Sequence, residues 1–477
     1  MSKKVVLIVV TLGLLVTYLG LLANARWGDS TAPDILLEQP FEQVGPTTRL
    51  VLRIKDEETG LRDVSVRIVH NLETYVLAEH AFPSEGTFSP AGGKEHEFTV
   101  DLVPYENPAL PRRQGQAQLI ITARDYSWRN WFEGNAQRVE QPFTPQFTPP
   151  RLELLQPPAT IVQGGTGLVR YRVVPEVPMH GVKIGSAFFP GFPAPDKVGM
   201  FAFVAFPYNA PANTPVQIIA DDGFGNSSLM DVDFVVKPQF WRTRTIPITN
   251  SFINKTVPTI LAQTPELENF GDPLKNFLQV NDTLRKINNH TIKELSKKSR
   301  PELLWKGPFR QLPGSQVEAS FADHRQYTYN GQVVDAQDHL GFDLAVTKHY
   351  PVEAANNGIV LFAGYLGIYG NTVILDHGYG LLSLYAHLSS ITVSVGSPVT
   401  IGQTVGHSGT TGLAAGDHLH FSMILQGEQV NPTEWWDPFW VKTRIKDKLG
   451  LPSLTKSTDE EPKTAPNTIG PTPPPTP

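Results

Sequence analysis

The 477-residue chain contains no cysteine, which rules out disulfides and thiolate-bound metals and is permissive for export. It also lacks any long basic run. With 40 Lys and Arg against 46 Asp and Glu its formal net charge is −6, which argues against nucleic acid as a partner. No His-Glu-x-x-His occurs, because the only His-Glu pair, His96-Glu97, has no second histidine; a glutamate base of that motif is therefore unavailable to any metal site here. Charge is missing again from Val5 to Leu22, an apolar run behind Lys3 and Lys4. Its length approaches the roughly 20 residues needed to span a bilayer, and the leading lysines would keep that end in the cytoplasm. Residues 1–25 are read as an N-terminal membrane anchor, with the remaining domains in the cell envelope on the periplasmic side of the inner membrane. Ala23-Asn24-Ala25 is a fair cleavage site, so a signal peptide and a secreted product are the alternative.

Against these absences stand three histidine motifs. His339-Leu340-Gly341-Phe342-Asp343 opens the stretch that organises the chain, Tyr385-Ala386-His387-Leu388 lies in its middle, and His418-Leu419-His420-Phe421 closes it. Imidazole and carboxylate suit a borderline metal such as Zn²⁺, and a catalytic site keeps three protein ligands and one open position. His339, Asp343 and His420 would fill those places. Residues two apart on a strand share a face, so His418 and His420 can serve one centre. Between the motifs, short β-branched runs such as Gly358-Ile359-Val360-Leu361 and Asn371-Thr372-Val373-Ile374, punctuated by Gly, Asn and Pro, predict a compact antiparallel β domain.

This pattern resembles the LytM/lysostaphin-type zinc metallopeptidases, peptidase family M23, over roughly Phe309 to Trp436. The likeness rests on H-x-x-x-D at His339 to Asp343, Tyr-Ala-His-Leu at Tyr385 to Leu388 and His-Leu-His-Phe at His418 to Phe421. Ser320-Phe321-Ala322-Asp323-His324-Arg325 resembles the family's Ser-Phe-Gly-x-x-Arg opening strand, with Ala322 where glycine is usual. The resemblance implies that His339, Asp343 and His420 bind zinc, that His387 and His418 are the catalytic histidines, and that the substrate is the peptide part of peptidoglycan. Such a centre lowers the pKa of bound water from about 15.7 toward 7 and polarises a carbonyl. Proton transfer then falls to His387 or His418, the other stabilising the oxyanion. Two other classes compete: a catalytically silent LytM-type regulator of cell-wall amidases, and a wall-binding scaffold. A complete ligand set speaks against the first, and three ligands rather than four against a structural site. His349, His377 and His407 are read as structural or surface histidines, His377 with a supporting role open to it; Asp338 and Asp376 as turn caps or solvated groups; Tyr385 as core packing.

The expected fold is mainly β. Two immunoglobulin-like β-sandwich modules, 32–147 and 151–240, precede a helical connector at 253–300, an antiparallel β peptidase domain at 309–440 and a disordered Pro/Thr-rich tail at 452–477. The two modules echo each other, Leu168-Val169-Arg170-Tyr171-Arg172 repeating Arg49 to Ile54, and Gln217 to Asp222 repeating Gln118 to Asp125. Gln141 to Pro150, with four prolines, reads as an extended linker. Asp221-Asp222-Gly223-Phe224-Gly225-Asn226 reads as an Asx-turn in preference to a calcium loop. In the connector, Asp272 caps a helix begun by Pro273, and its position before the peptidase domain suggests that it could lie over the groove and restrain activity.

Overall fold

The computed structural model describes residues 2–451; the tail expected from 452 lies outside them. Strands dominate, and the chain divides into two compact units. One holds Met1–Glu153, Arg172–Gly181 and Gln217–Met230; the other holds Leu154–Tyr171, Val182–Val216 and the chain from Asp231 onward. The stretch 151–240, expected as one module, is thus shared between them.

The first unit opens with a helix, Lys3–Gly28, whose apolar residues from Val5 to Leu21 are largely exposed. By length and composition it could cross a membrane. The helix continues through Ala23-Asn24-Ala25. At its end Arg26 is buried against the rings of Tyr126 and Trp128, and Trp27 meets Trp128 edge-on at 5.2 Å. A three-stranded sheet (Asp34–Leu37, Leu50–Lys55, Glu97–Leu102) and a five-stranded sheet (Gln43–Val44, Ala136–Pro145, Ala117–Asp125, Leu61–His70, Glu73–Ala81) follow. Strict alternation turns Leu50, Leu52 and Ile54 from one sheet, and Leu119, Ile121 and Ala123 from the other, into a shared core, as the two-residue period of a half-buried strand requires. Gln141–Pro145 is the end of a strand and not part of a linker. Phe143 buries in the core and pairs with Ala117, holding this proline-flanked stretch in the sheet.

In the second unit, Thr166 to Tyr171 pairs antiparallel with Met200 to Ala205. The rings of Phe203, Trp305 and Phe309 surround Trp435, all within 6.4 Å, and the Trp435 indole donates to Thr166 Oγ1. The peptidase-like portion is an eight-stranded antiparallel sheet in the order Gln316–Ala319, Phe342–Ala345, Leu419–Leu425, Leu381–Leu388, Asn371–Asp376, Gly358–Tyr365, Pro398–Val399, with Glu428–Val430 added beside Leu419–Leu425. Leu381–Leu388 and Leu419–Leu425 are buried at every position, so their sequences run apolar without alternating.

The connector helices cover part of this sheet. Asn250–Ala262 is followed by Pro273–Gln279, which passes through a wide turn at Val280–Leu284 into Arg285–Ser296. Asp272 caps the second helix, accepting from the backbone N–H groups of Leu274 and Lys275. Ile253, Val257, Ile260, Phe277, Leu284 and Ile292 share one core with Ile374, Leu382, Leu384 and Ile424 of the sheet. Sequence patterning did not anticipate the strand Thr243–Pro247, which pairs in parallel with His324 to Thr328.

Candidate metal centre and groove

Strand pairing gathers the histidine motifs. Asp343 lies opposite His420 in the ladder, and His339 ends the strand just before the tight connection at Leu340-Gly341. Only glycine fits at 341, where a Cβ would come within 2.6 Å of His420 Nε2 and Ser422 Oγ. His339 Nε2 is 2.9 Å from both Asp343 Oδ1 and His420 Nδ1, and His420 Nδ1 is 3.1 Å from Asp343 Oδ1. Both imidazoles are buried.

Partners behind the centre decide which nitrogens hold protons. His339 Nδ1 sits 3.0 Å from the Ser320 carbonyl, an acceptor only, so Nδ1 is the N–H and Nε2 carries the lone pair. Ser422 Oγ gives its proton to the Leu340 carbonyl and stands 3.0 Å from His420 Nε2; it must accept from that nitrogen, which leaves the lone pair on Nδ1. Asp343 Oδ2 is held by Arg325 Nη2 at 2.8 Å, with Oδ1 facing inward. Three lone pairs therefore converge within hydrogen-bonding distance and no proton lies among them, an arrangement that fits a cation. The donors, two imidazole nitrogens and one carboxylate oxygen, suit Zn²⁺. Burial would raise the Asp343 carboxyl, but the surrounding histidines overcome it and hold the group well below the usual carboxylate range. Burial also draws His420 down to about 4.

The other two histidines flank this centre. The His387 ring lies 4.8 Å from that of His418, tilted against it, and 5.9 Å from that of His420, edge-on. Their Nδ1 atoms lie 2.8 Å from the carbonyls of Thr411 and Gly416, so both leave Nε2 for other work. His418 Nε2 is 3.5 Å from Asp343 Oδ1. The sheet aims His387 by a local irregularity: pairing slips between Asn371 and Val373 opposite it, and its own φ is +60°, a bulge that redirects one side chain. Burial first, then His418 and His420, push the His387 imidazole well below its ordinary value. Burial lowers His418 too, but the hydrogen bond and charge of Asp343 outweigh it and the net shift is upward.

Ala322 has φ +59° and is buried, a conformation that favours glycine, and its N–H donates to the His339 carbonyl at 2.6 Å. His349 and His407 do not join the centre. His377 is locked between the Asn357 carbonyl and Ser383 Oγ, each at 2.7 Å, and burial takes it down to about 4. Tyr385 is core, its hydroxyl accepting from the Ala355 N–H. Asp376 caps a turn but is buried, receiving Ser299 Oγ and the backbone N–H groups of Arg300 and Gly378. Asp338 binds the Tyr208 hydroxyl and His324 Nδ1, both at 2.8 Å. Five contributors to the site and its groove escaped sequence reasoning. Ser422 follows His420 by two, on the same strand face, and that period was a usable signal. No comparable signal marked Arg244, Phe252, Phe277 and Arg285, which line the same groove of about 590 Å³ as the five site residues. The connector is thus a wall of the groove.

Residues 337–432 match the model of peptidase family M23, and the C-terminal part of the chain is an M23 peptidase domain. Among curated relatives, the DD-carboxypeptidase/endopeptidase Mpg of Neisseria meningitidis serogroup B is 40% identical over 94 residues, 20% of this chain and 22% of that protein. The peptidoglycan DD-endopeptidase ShyA of Vibrio cholerae is 39% identical over 116 residues, 24% of this chain and 26% of its own length. The matched stretch thus spans about a quarter of these relatives. A Pseudomonas aeruginosa crystal structure of a candidate M23 peptidase covers 59% of this chain and 96% of its own, at 19% identity and a TM-score of 0.36.

Proposed function

We propose that this protein is a zinc-dependent endopeptidase that cuts peptide cross-links or stem peptides of bacterial peptidoglycan, with His339, Asp343 and His420 as metal ligands and His387 and His418 as the catalytic histidines. The observation that carries this reading is the convergence of three lone pairs, two on imidazoles whose tautomers Ser320 and Ser422 set and one on Asp343, whose other oxygen Arg325 holds. The relatives' names point to the same substrate class. Zn²⁺ held there would supply Lewis acidity, polarising the scissile carbonyl and making water a competent nucleophile near neutral pH. The chain's own groups do the rest. His387, kept neutral by burial with Nδ1–H given to Thr411, takes the proton of the attacking water on Nε2. His418, beside Asp343, presents its Nε2–H to the developing oxyanion. The proton that His387 takes is returned from the same Nε2 to the leaving amine, which restores both histidines to their starting states. The wall formed by Arg244, Phe252, Phe277 and Arg285 would hold an extended peptide against these groups.

The envelope is the compartment this substrate implies. Retention of the N-terminal helix as an anchor is favoured by its unbroken course through Ala23-Asn24-Ala25 and by the burial of Arg26 in the first unit. The test is to incubate the purified full chain, in detergent and loaded with zinc, with purified sacculi: peptide fragments should be released by the wild type and not by His420→Ala. A zinc-loaded, folded wild type that releases none ends the peptidase reading.

A further inference from the structure

The first unit contains a second buried acidic site, away from every histidine motif. Asp29 follows the N-terminal helix directly, Asp56 sits in the turn Asp56-Glu57-Glu58-Thr59-Gly60, and Asp125 ends the strand Ala117–Asp125. All three are buried, and one carboxylate oxygen from each lies within 4.8 Å of the others. Glu58 brings a fourth, exposed carboxylate to hydrogen-bonding distance of Asp29.

Most oxygens of this group receive neutral donors. Asp29 takes the Thr31 N–H and Thr59 Oγ1, Asp56 Oδ1 takes the N–H groups of Glu58 and Gly60, and Asp125 takes the N–H groups of Ser127 and Asn135 and the Asn135 amide. Asp56 Oδ2 receives nothing, although the residue is only 3% exposed. An unsatisfied carboxylate oxygen at that depth is costly unless a cation meets it. Among the described residues no Lys or Arg forms an ion pair with any of the four carboxylates. Two guanidiniums lie nearby without pairing a carboxylate: Arg26, whose buried Nε and Nη1 make no hydrogen bond, and Arg129, whose Nε donates to the Asp29 backbone carbonyl at 2.7 Å. Four carboxylates against two guanidiniums leave an excess of negative charge. Burial and the neighbouring carboxylates raise Asp56, and burial raises Asp125, as expected of carboxylates whose counter-charge has yet to bind.

The second sequence repeat supplies the contrast. Asp222 repeats the hydrogen-bond pattern of Asp125 over a shorter loop, Oδ1 accepting from the N–H groups of Phe224 and Asn226 and Oδ2 from the Asn226 amide. Both of its oxygens are satisfied, and it lacks counterparts of Asp29 and Asp56 in the groups of potential metal ligands among the described residues. The Asx-turn is therefore a plain folding device, and the added carboxylates in the first unit need a separate explanation.

We propose that Asp29, Asp56 and Asp125, with Glu58 at the rim, bind a Ca²⁺ ion that clamps the end of the N-terminal helix to the first sandwich. The all-oxygen donor set is that of a hard cation, and Ca–O distances of about 2.3–2.6 Å span about 4.6–5.2 Å across the ion, whereas Mg²⁺ would need a tighter cage. Because Asp29 begins where the helix ends, the ion would join anchor and sandwich at one point. An affinity of about 10⁻⁴ to 10⁻³ M, typical of extracellular modules, would make the clamp responsive to envelope calcium.

The experiment uses the full chain in detergent, zinc-loaded. Tb³⁺ emission, sensitised by Tyr126 and Trp128 beside the cluster, is titrated away with Ca²⁺, and thermal unfolding is followed with and without Ca²⁺. The wild type and His420→Ala should both show saturable displacement and a rise in Tm with Ca²⁺. Asp56→Asn, which keeps an acceptor for Gly60, should weaken Ca²⁺ about tenfold or more; should it not fold, the exposed Glu58→Gln should still weaken it several-fold. Absence of saturable displacement in the wild type, loss of the signal in His420→Ala, or unchanged affinity in whichever folded variant is measured would overturn the proposal.

Discussion

Two groups of potential metal ligands, one in each unit, place their carboxylates in different company. Asp343 is surrounded by imidazoles whose outer nitrogens are tied to Ser320, Ser422, Thr411 and Gly416, so the inner atoms of His339, Asp343 and His420 form a donor set that would suit an ion of borderline softness. Asp29, Asp56 and Asp125 are surrounded by hydroxyls and backbone amides, so only oxygen faces inward. The company a carboxylate keeps, more than its burial, selects the cation. The geometry also differs in purpose. On the proposed reading, three ligands with two further imidazoles beside them would leave room for chemistry, whereas a cluster at the junction of a helix and a sandwich has structural leverage and no proton-handling group.

The strongest way to break this comparison is to remove a ligand on the histidine side. His420→Ala should abolish bound zinc and lower sacculus hydrolysis by about 10³-fold or more, with the circular dichroism spectrum unchanged; retention of stoichiometric zinc by the variant would show that the centre is misassigned. His387→Ala should separate ligation from proton transfer. Zinc content should stay at one per chain while turnover falls about 10²- to 10⁴-fold, and a variant that loses the metal instead would place His387 among the ligands. Selective chelation sharpens the contrast: a zinc-selective chelator should stop hydrolysis without moving the calcium-dependent part of Tm, and a calcium-selective one should do the reverse.

How much of this was legible beforehand follows from range. Asp343 and His420 are sequence-distant, yet period-two strands and three ordered motifs were enough to pair them, and the ladder sets them face to face. The direction of His387 was not legible, because it depends on a register slip and a positive φ that no residue type announces. Asp272 and Pro273 mark a helix start in the connector, but its burial against Leu382 and Ile424 is a tertiary fact that a capping signal leaves open. A connector that restrains the groove must therefore also share the sheet's core: removing these helices would uncover the sheet's own apolar face. The acidic cluster escaped because Asp29, Asp56 and Asp125 are scattered singly among turns, where aspartate is ordinary.

A smaller effect tests the layer behind the ligands. Ser422→Ala removes the acceptor that fixes the His420 tautomer, so the ring is free to place its proton on the inner nitrogen. Zinc affinity, measured by competition with a chromophoric chelator, should fall about tenfold or more with catalysis recoverable at saturating zinc. Unchanged affinity would mean that Asp343 and the strand backbone orient the ring by themselves.

A half-buried carboxylate extends the comparison, because it has neither imidazoles nor a cluster. Glu434 accepts from the Thr166 N–H at 2.7 Å, and a Cβ at Gly165 would touch its Oε1 at 2.5 Å. Burial pushes it from 4.5 up to about 7, against the weaker pull of that hydrogen bond and of Arg444. With only the distant charge of Arg444 set against burial, this group answers by keeping its proton. Its folded-state pKa is raised, so the folded chain binds the proton more tightly than the unfolded chain does. Its stabilising contribution is full below about 4.5 and is lost as pH rises toward about 7. Glu434→Gln keeps an oxygen for Thr166 but cannot ionise. The variant should be more stable than the wild type by on the order of 1–3 kcal/mol near pH 8 and should lack the decline in denaturant stability between about pH 5 and 7. Parallel pH profiles for the two proteins would show that Glu434 is already charged when folded, and that a lone half-buried carboxylate here is balanced by Arg444.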